Sequence, residues 1–303
     1  MGEGGAVHLD GAIMLAGAIV GFAVGLTGMG GGALMTPVLV LLLHVQPAAA
    51  VSSDLVASVF MKPVGGAVHL RRGTVHLHMV LWLAAGAVPA GFAGATFLNK
   101  VASGKALQNE IKYALGAALL VAVAGLVARS LTRPTAPVVA SDELPRVRVL
   151  PTVVVGVVGG FIVGVTSVGS GSLMIVALMF LYPQLTGRQL VGTDLVQSVP
   201  LVAAAALGQV IFGDVKLGLT VSLLIGSLPA VYLGARLSSI APSGLLRSAI
   251  GVMLLLSGLK LLGVGNVVVA TAGAVAIALV AGAAVGSRRR SVGMARAVEE
   301  IPA

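Results

Sequence analysis

Two acidic residues stand out in this chain because of where they lie. Asp54, in "VSSDLVASV" (51–59), and Asp194, in "VGTDLVQSV" (191–199), sit inside apolar stretches, and the other eight acidic residues do not. An ionisable group inside a membrane-length apolar segment costs about 2.5–3.5 kcal/mol on insertion scales and marks a functional hypothesis. Low dielectric disfavours the charged carboxylate, so either Asp could carry a coupling proton. The alternative is that each caps a helix start, where the dipole favours it. Lys62, eight residues after Asp54, could pair with it, hold an anion, or snorkel to an interface. Ser52, Ser53, Ser58, Thr193, Gln197 and Ser198 are polar groups nearby.

A second set of residues offers backbone chemistry. "GLTGMGGGALMTP" (25–37) places glycines within an apolar run from Gly11 to Leu43. A helix that stops at membrane depth leaves N–H and C=O groups that lipid cannot satisfy. Glycine lets backbone approach a ligand, and a helix N-terminus carries partial positive charge. Together these make an anion site without side-chain charge. The candidates are Thr27, Gly28, Gly30, Gly31 and Gly32, and then Thr166, Ser167, Gly169, Ser170, Gly171 and Ser172. Gly21, Gly25, Gly160 and Gly164 have the spacing of four that suits close helix packing.

These segments repeat. "GFAVGLTGMGGGALM" (21–35) aligns with "GFIVGVTSVGSGSLM" (160–174), nine of fifteen positions identical. The two Asp segments align with six of nine identical, "GTV" (73–75) matches "GDV" (213–215), and "GAVPAGFAG" (86–94) matches "GSLPAVYLG" (226–234). The order is kept. The chain therefore reads as a first membrane repeat (1–132), a polar linker (133–149), a second membrane repeat (150–264), and an additional transmembrane helix with a basic cytoplasmic tail (265–303). Lys62 breaks the symmetry, because Val202 stands in its place.

Composition fixes the class that must position these groups. The chain is 57% hydrophobic and 10% charged, far from a soluble domain at about 25% charged. It reads as an all-α integral membrane protein, since apolar runs reach the roughly 20 residues of a spanning helix. The net charge of +9 is ordinary for basic membrane loops and does not call for nucleic acid. There is no cysteine, hence no disulfide or thiolate chemistry. His69, His76 and His78 lack accompanying acidic or Cys ligands, so neither metal nor cofactor is expected. No nucleophile–base pattern points to an enzyme.

Apolar segments run roughly 11–43, 49–70, 75–98, 110–128, 150–182, 190–212, 215–237, 244–262 and 265–286. The first and fifth are too long for one upright span. Each could be a tilted span or two half-helices re-entering on one side. With re-entrant segments and the N-terminus outside, thirteen Arg fall on one face and five Lys on the other. With single spans the division is ten against eight. The positive-inside bias favours re-entry, a plasma (inner) membrane location with a cytoplasmic C-terminus, and two inverted-topology repeats, each a broken segment followed by about three helices. Inverted repeats with broken helices characterise secondary transporters.

The run from Gly21 to Pro37, the stretch Ala50 to Leu55, and Arg71-Arg72-Gly73-Thr74-Val75 resemble the sulfite exporter TauE/SafE family of membrane transporters. The resemblance covers roughly 11–264. It implies a transporter of sulfite, sulfonates or related organic acids. Asp54 and Asp194 stand where small or hydroxyl residues are common in that family. The expected function is movement of a small sulfur-containing anion by alternating access, with the proton as candidate coupling ion and the bilayer as the other partner. A channel-like anion conduit would differ by unsaturable transport, and a non-transport membrane assembly factor by indifference to changes in the glycine motifs.

Overall fold

The computed structural model describes residues 9–27, 31–101, 105–131, 146–171, 173–213, 215–237 and 243–280. The linker up to residue 145, the basic tail from 281, and Gly28, Gly30 and Ser172 of the expected site lie outside them, as does the Thr27 side chain. The described residues are helical, with α1 (Gly11–Thr27), α2 (Gly32–Leu41), α3 (Pro47–Arg71), α4 (Leu77–Val101), α5 (Lys105–Leu131), α6 (Val149–Thr166), α7 (Leu173–Leu181), α8 (Gly187–Phe212), α9 (Leu217–Leu237) and α10 (Ser243–Leu261). A further helix, α11, covers Asn266–Val280.

Both long apolar runs are interrupted at their glycine-hydroxyl motifs. Pro37 lies inside α2 and does not interrupt it. The second break is well defined. Ser167 ends α6 in the left-handed region (φ 56°), and Gly169 and Gly171 follow at φ 124° and 95°. Only glycine takes those last two values without strain. Two other helix starts follow directly from their sequence. Pro47 starts α3, where its missing N–H costs nothing. Thr186 and Gln189 form a reciprocal capping box at α8.

Among the described residues, five helices are long and apolar enough to cross a membrane: Leu77–Leu98, Gln108–Ala128, Val149–Thr166, Gln189–Phe212 and Leu217–Leu237. With 25 residues, α3 is about 38 Å long, but its polar residues lower its hydropathy. Those residues point inward. Ser52, Ser53, Asp54, Ser58 and Lys62 are all buried, whereas Leu15, Ile19, Leu81, Phe180, Leu207 and Val210 lie on the outer surface. A polar interior under an apolar exterior is the arrangement a bilayer demands.

Glycines set the helix pairing. A Cβ on Gly21 would sit 2.9 Å from Ser227 Cα, and Gly17 and Gly25 meet Leu223 and Val231, so α1 runs parallel to α9 at backbone contact. In the second half, Gly156, Gly160 and Gly164 meet Leu83, Ala87 and Gly91, so α6 runs parallel to α4 in the same way. The spacing-of-four glycines are therefore a packing seam. Each half lays its first helix along the α4-type helix of the other.

Between these pairs, α3 and α8 cross the centre together. Ser52 at the start of α3 bonds Gln209 near the end of α8. Gly65 faces Leu195, and Gly192 near the start of α8 faces Thr74 just past α3. The two helices occupy equivalent positions in their repeats and run antiparallel.

Candidate functional site

The polar centre forms where the second break meets α3 and α8. Asp54, fully buried, accepts hydrogen bonds at Oδ2 from Thr36 Oγ1 (2.9 Å) and Ser167 Oγ (2.8 Å). Thr36 belongs to α2, one turn beyond the first break. Ser167 belongs to the second break. One carboxylate oxygen thus ties the two broken segments together. Gly32 permits the approach, because any Cβ there would collide with the Ser167 carbonyl.

Eight residues along α3, Lys62 is 4% exposed and donates from Nζ to Ser170 Oγ. The next amide, Gly171 N–H, donates to Asp194. Asp194 Oδ1 also accepts from Gln197 Nε2 at 3.1 Å, and the same Nε2 reaches Met174 Sδ at 2.7 Å. The Lys62 charge acts most strongly on Asp194 and next on Asp54. Buried charges persist only when partnered, and here one cation serves two carboxylates.

Several polar atoms in this centre have open valence. Asp54 Oδ1, Asp194 Oδ2, Gln197 Oε1 and Ser53 Oγ have no hydrogen-bond partner among the described residues. Buried polar atoms are normally paired, so the open oxygens of Asp54, Asp194 and Gln197 leave this centre able to accept from a further donor.

The expected site residues divide by position. Gly31, Gly32, Asp54, Lys62, Ser167, Ser170, Gly171, Asp194 and Gln197 come together. Gly169 supplies the turn between Ser167 and Ser170. Thr166 closes its own turn, accepting from Val168 N–H (3.1 Å) and donating to Ile162 O. Thr193 faces away and accepts from His76 N–H (3.0 Å) before α4. Ser52 is directed to Ala48 O and Gln209. Neither Asp caps a helix start, since Asp54 lies two turns into α3 and Asp194 two turns into α8. Lys62 does not snorkel.

Sequence reasoning missed Thr36 and Met174. Thr36 carried a usable signal, as a hydroxyl one turn past the glycine run. Met174 carried none, because a thioether in an apolar helix reads as packing. A cavity of about 650 Å³ opens between α4–α5 and α6–α7. Its wall is apolar, with Phe97, Val121, Val158 and Phe161 toward the outer surface, and Met174, which Gln197 reaches from the other side, forms part of it.

Helices interrupted at a buried charged centre, inside a multi-helix apolar shell, define a multi-pass membrane protein of the transporter class. The model of the family Sulfite exporter TauE/SafE matches residues 13–261, and the chain belongs to that family. It is 39% identical over 259 residues to "Probable membrane transporter protein YjnA" of Bacillus subtilis (strain 168), covering 82% of this chain and 98% of that one. It is 26% identical over 245 residues to "Probable membrane transporter protein YdhB" of the same organism, covering 80% and 96%. No solved structure matches the chain significantly. These names describe transporters and exporters, not enzymes.

Proposed function

We propose that this membrane transporter is a secondary carrier of a small sulfur-containing anion, working by alternating access between two inverted halves. One observation carries the reading: Lys62 of the first half is buried against the Ser170 hydroxyl of the second half's broken helix. A buried ammonium beside a helix break can hold an anion once one of the two neighbouring carboxylates is protonated, and the open carboxylate oxygens can accept only from a donor. Because the contact joins the two halves, any rocking of one against the other must remake it.

The antiparallel course of α3 and α8 supports inversion, since parallel repeats would align equivalent helices in one direction. The distribution of Arg and Lys supports an external N-terminus and a cytoplasmic C-terminus. The sulfur-containing cargo rests on the family's name alone. In this reading Gly31, Gly32, Ser167, Ser170 and Gly171 line the site with Lys62, while Asp54 or Asp194 carries the coupling proton.

Reconstitution tests the proposal. Purified protein in proteoliposomes should move sulfite, methanesulfonate or thiosulfate with saturation, driven by a pH gradient or voltage. Lys62→Met, assayed only in protein that remains folded and monodisperse, should abolish that flux. Absence of flux for all three anions under both gradients refutes the reading, and flux that does not saturate points to a conduit.

A further inference from the structure

We propose that Asp194 is a tethered competitor of the substrate: it is the carboxylate that answers the Lys62 ammonium in the empty carrier, and it must take a proton from water before an anion can replace it. This rests on the transporter reading above and narrows its proton carrier from two carboxylates to one, with the reason for the coupling.

The two buried carboxylates are not equivalent. Asp54 Oδ2 is held by hydroxyls of α2 and the second break. Those donors are neutral, and their arrangement braces two broken segments. Asp194 instead shares a two-residue link with the cation: Ser170 accepts from Lys62, and Gly171 donates to Asp194. Its Oδ2 stays open among the described residues.

Few other charges reach the centre. Against α3 pack α2, α5, α8 and α9, and against α8, which carries Asp194, pack α3, α4, α6 and α7. Helices α6 and α7 have no titratable side chain, α4 has His78 in its first turn and Lys100 in its last, and the buried His76 just before α4 donates its N–H to Thr193. Helix α2 has no titratable side chain, and neither do Gly28, Met29, Gly30 and Ser172 at the breaks. On α9, Tyr232 is exposed and Arg236 stacks over its ring at 4.7 Å, at the helix end. On α5, Lys105, Glu110, Lys112 and Tyr113 lie in the first turns and Arg129 in the last. On α8, Arg188 lies in the first turn, and on α3 itself His69 and Arg71 lie in the last.

The charge arithmetic then fixes the coupling. Lys62 with ionised Asp54 and Asp194 sums to one negative charge. A monovalent anion alone would double it in a low-dielectric interior, which is strongly opposed. An anion arriving with one proton on Asp194 leaves the sum unchanged. The proton turns the carboxylate into a neutral acid, frees Lys62 for the anion, and returns to water when the anion leaves. Loaded and empty carriers then bury the same charge, and both can reorient.

The test uses full-length protein in detergent and methanesulfonate, which stays ionised near neutral pH and so adds no proton chemistry of its own. Calorimetry in buffers of differing ionisation enthalpy gives protons bound per anion. Wild type should take up about one proton per anion. Asp194→Asn should bind methanesulfonate at least as tightly, with no proton uptake and no weakening as pH rises. Asp54→Asn should still take up about one proton. Proton uptake persisting in Asp194→Asn overturns the inference. So does a folded Asp194→Asn that has lost binding, since removing a competitor should not weaken its rival. Wild type that binds without taking up a proton overturns it whether or not the variants fold. If wild type binds none of methanesulfonate, thiosulfate and sulfite, the sulfur-anion reading itself fails.

Discussion

Gly31→Ala and Gly32→Ala change neighbouring residues and should have very different outcomes. A Cβ on Gly32 would lie 2.7 Å from Ser167 C and 2.9 Å from Ser167 Oγ, and closer still to the carbonyl oxygen. These atoms are mostly backbone and cannot swing aside. Overpacking of this kind costs about 1–3 kcal/mol. Pushing Ser167 away also endangers its bond to Asp54, and a hydrogen bond to a charged group contributes about 1.5–3 kcal/mol. The combined cost is about 2.5–6 kcal/mol. At Gly31 the nearest atom to a Cβ is Met61 Cε at 3.4 Å, the end of a flexible side chain. Its backbone is helical (φ −56°, ψ −33°), so alanine fits and even gains about 0.4–1 kcal/mol from a less flexible unfolded chain. Thermal unfolding of the purified variants in one detergent should show Gly31→Ala melting near wild type and Gly32→Ala melting several degrees lower. Equal midpoints for the two variants would refute the claim that the broken segments touch at Gly32.

Three other outcomes follow from the same contacts. Ser167→Ala and Thr36→Val should each cost about 1.5–3 kcal/mol in denaturation, and the double variant more than their sum, because Asp54 Oδ2 then has neither donor. Gly25→Val should lower the yield of folded protein, since its Cβ meets the Val231 carbonyl and sits 2.8 Å from Ala235 N, whereas Gly65→Ala, 3.7 Å from Leu195 Cδ1, should express normally. The chain has no cysteine, so single replacements report topology cleanly: Arg72→Cys and Arg146→Cys should react with a membrane-impermeant thiol reagent only from the cytoplasmic side, and Lys216→Cys and Lys260→Cys only from outside.

The scaffold was legible in the sequence to the extent that it depends on local chemistry. The second break falls at its motif because Gly169 and Gly171 adopt backbone angles that a continuous helix cannot contain. The packing role of Gly21 and Gly25 followed from their spacing, and α1 meets α9 there. Long-range partners were not legible. Lys62 and Asp54 share a helix at a spacing of just over two turns, which suggested a pair, yet Lys62 bonds Ser170, 108 residues away. Which helix approaches α3 is decided by how the two halves fit, and no local pattern records that. Thr193 shows the same limit from the other direction. Its place beside Asp194 suggested the site, but adjacent residues on a helix point about 100° apart, and its hydroxyl serves the chain before α4.

Of the positions where the repeat fails, Lys62 carries the most consequence. Val202 takes the place of Lys62 and is 1% exposed, so the second half buries an isopropyl group where the first buries an ammonium. Ile175 likewise takes the place of Thr36 and is buried. A two-fold scaffold therefore encloses a charge distribution with no two-fold symmetry. The cation enters from α3 and meets hydroxyls that only the second break has, because Ser167 and Ser170 replace Gly28 and Gly31. An anion drawn to Lys62 would sit against the second break, off the axis relating the halves. The first break, braced through Thr36 and Asp54, would then serve as the wall against which that site closes. In the proposed alternating-access mechanism, symmetry would give the two halves matching surfaces to rock upon, and the loss of symmetry at a few residues would give one site instead of two.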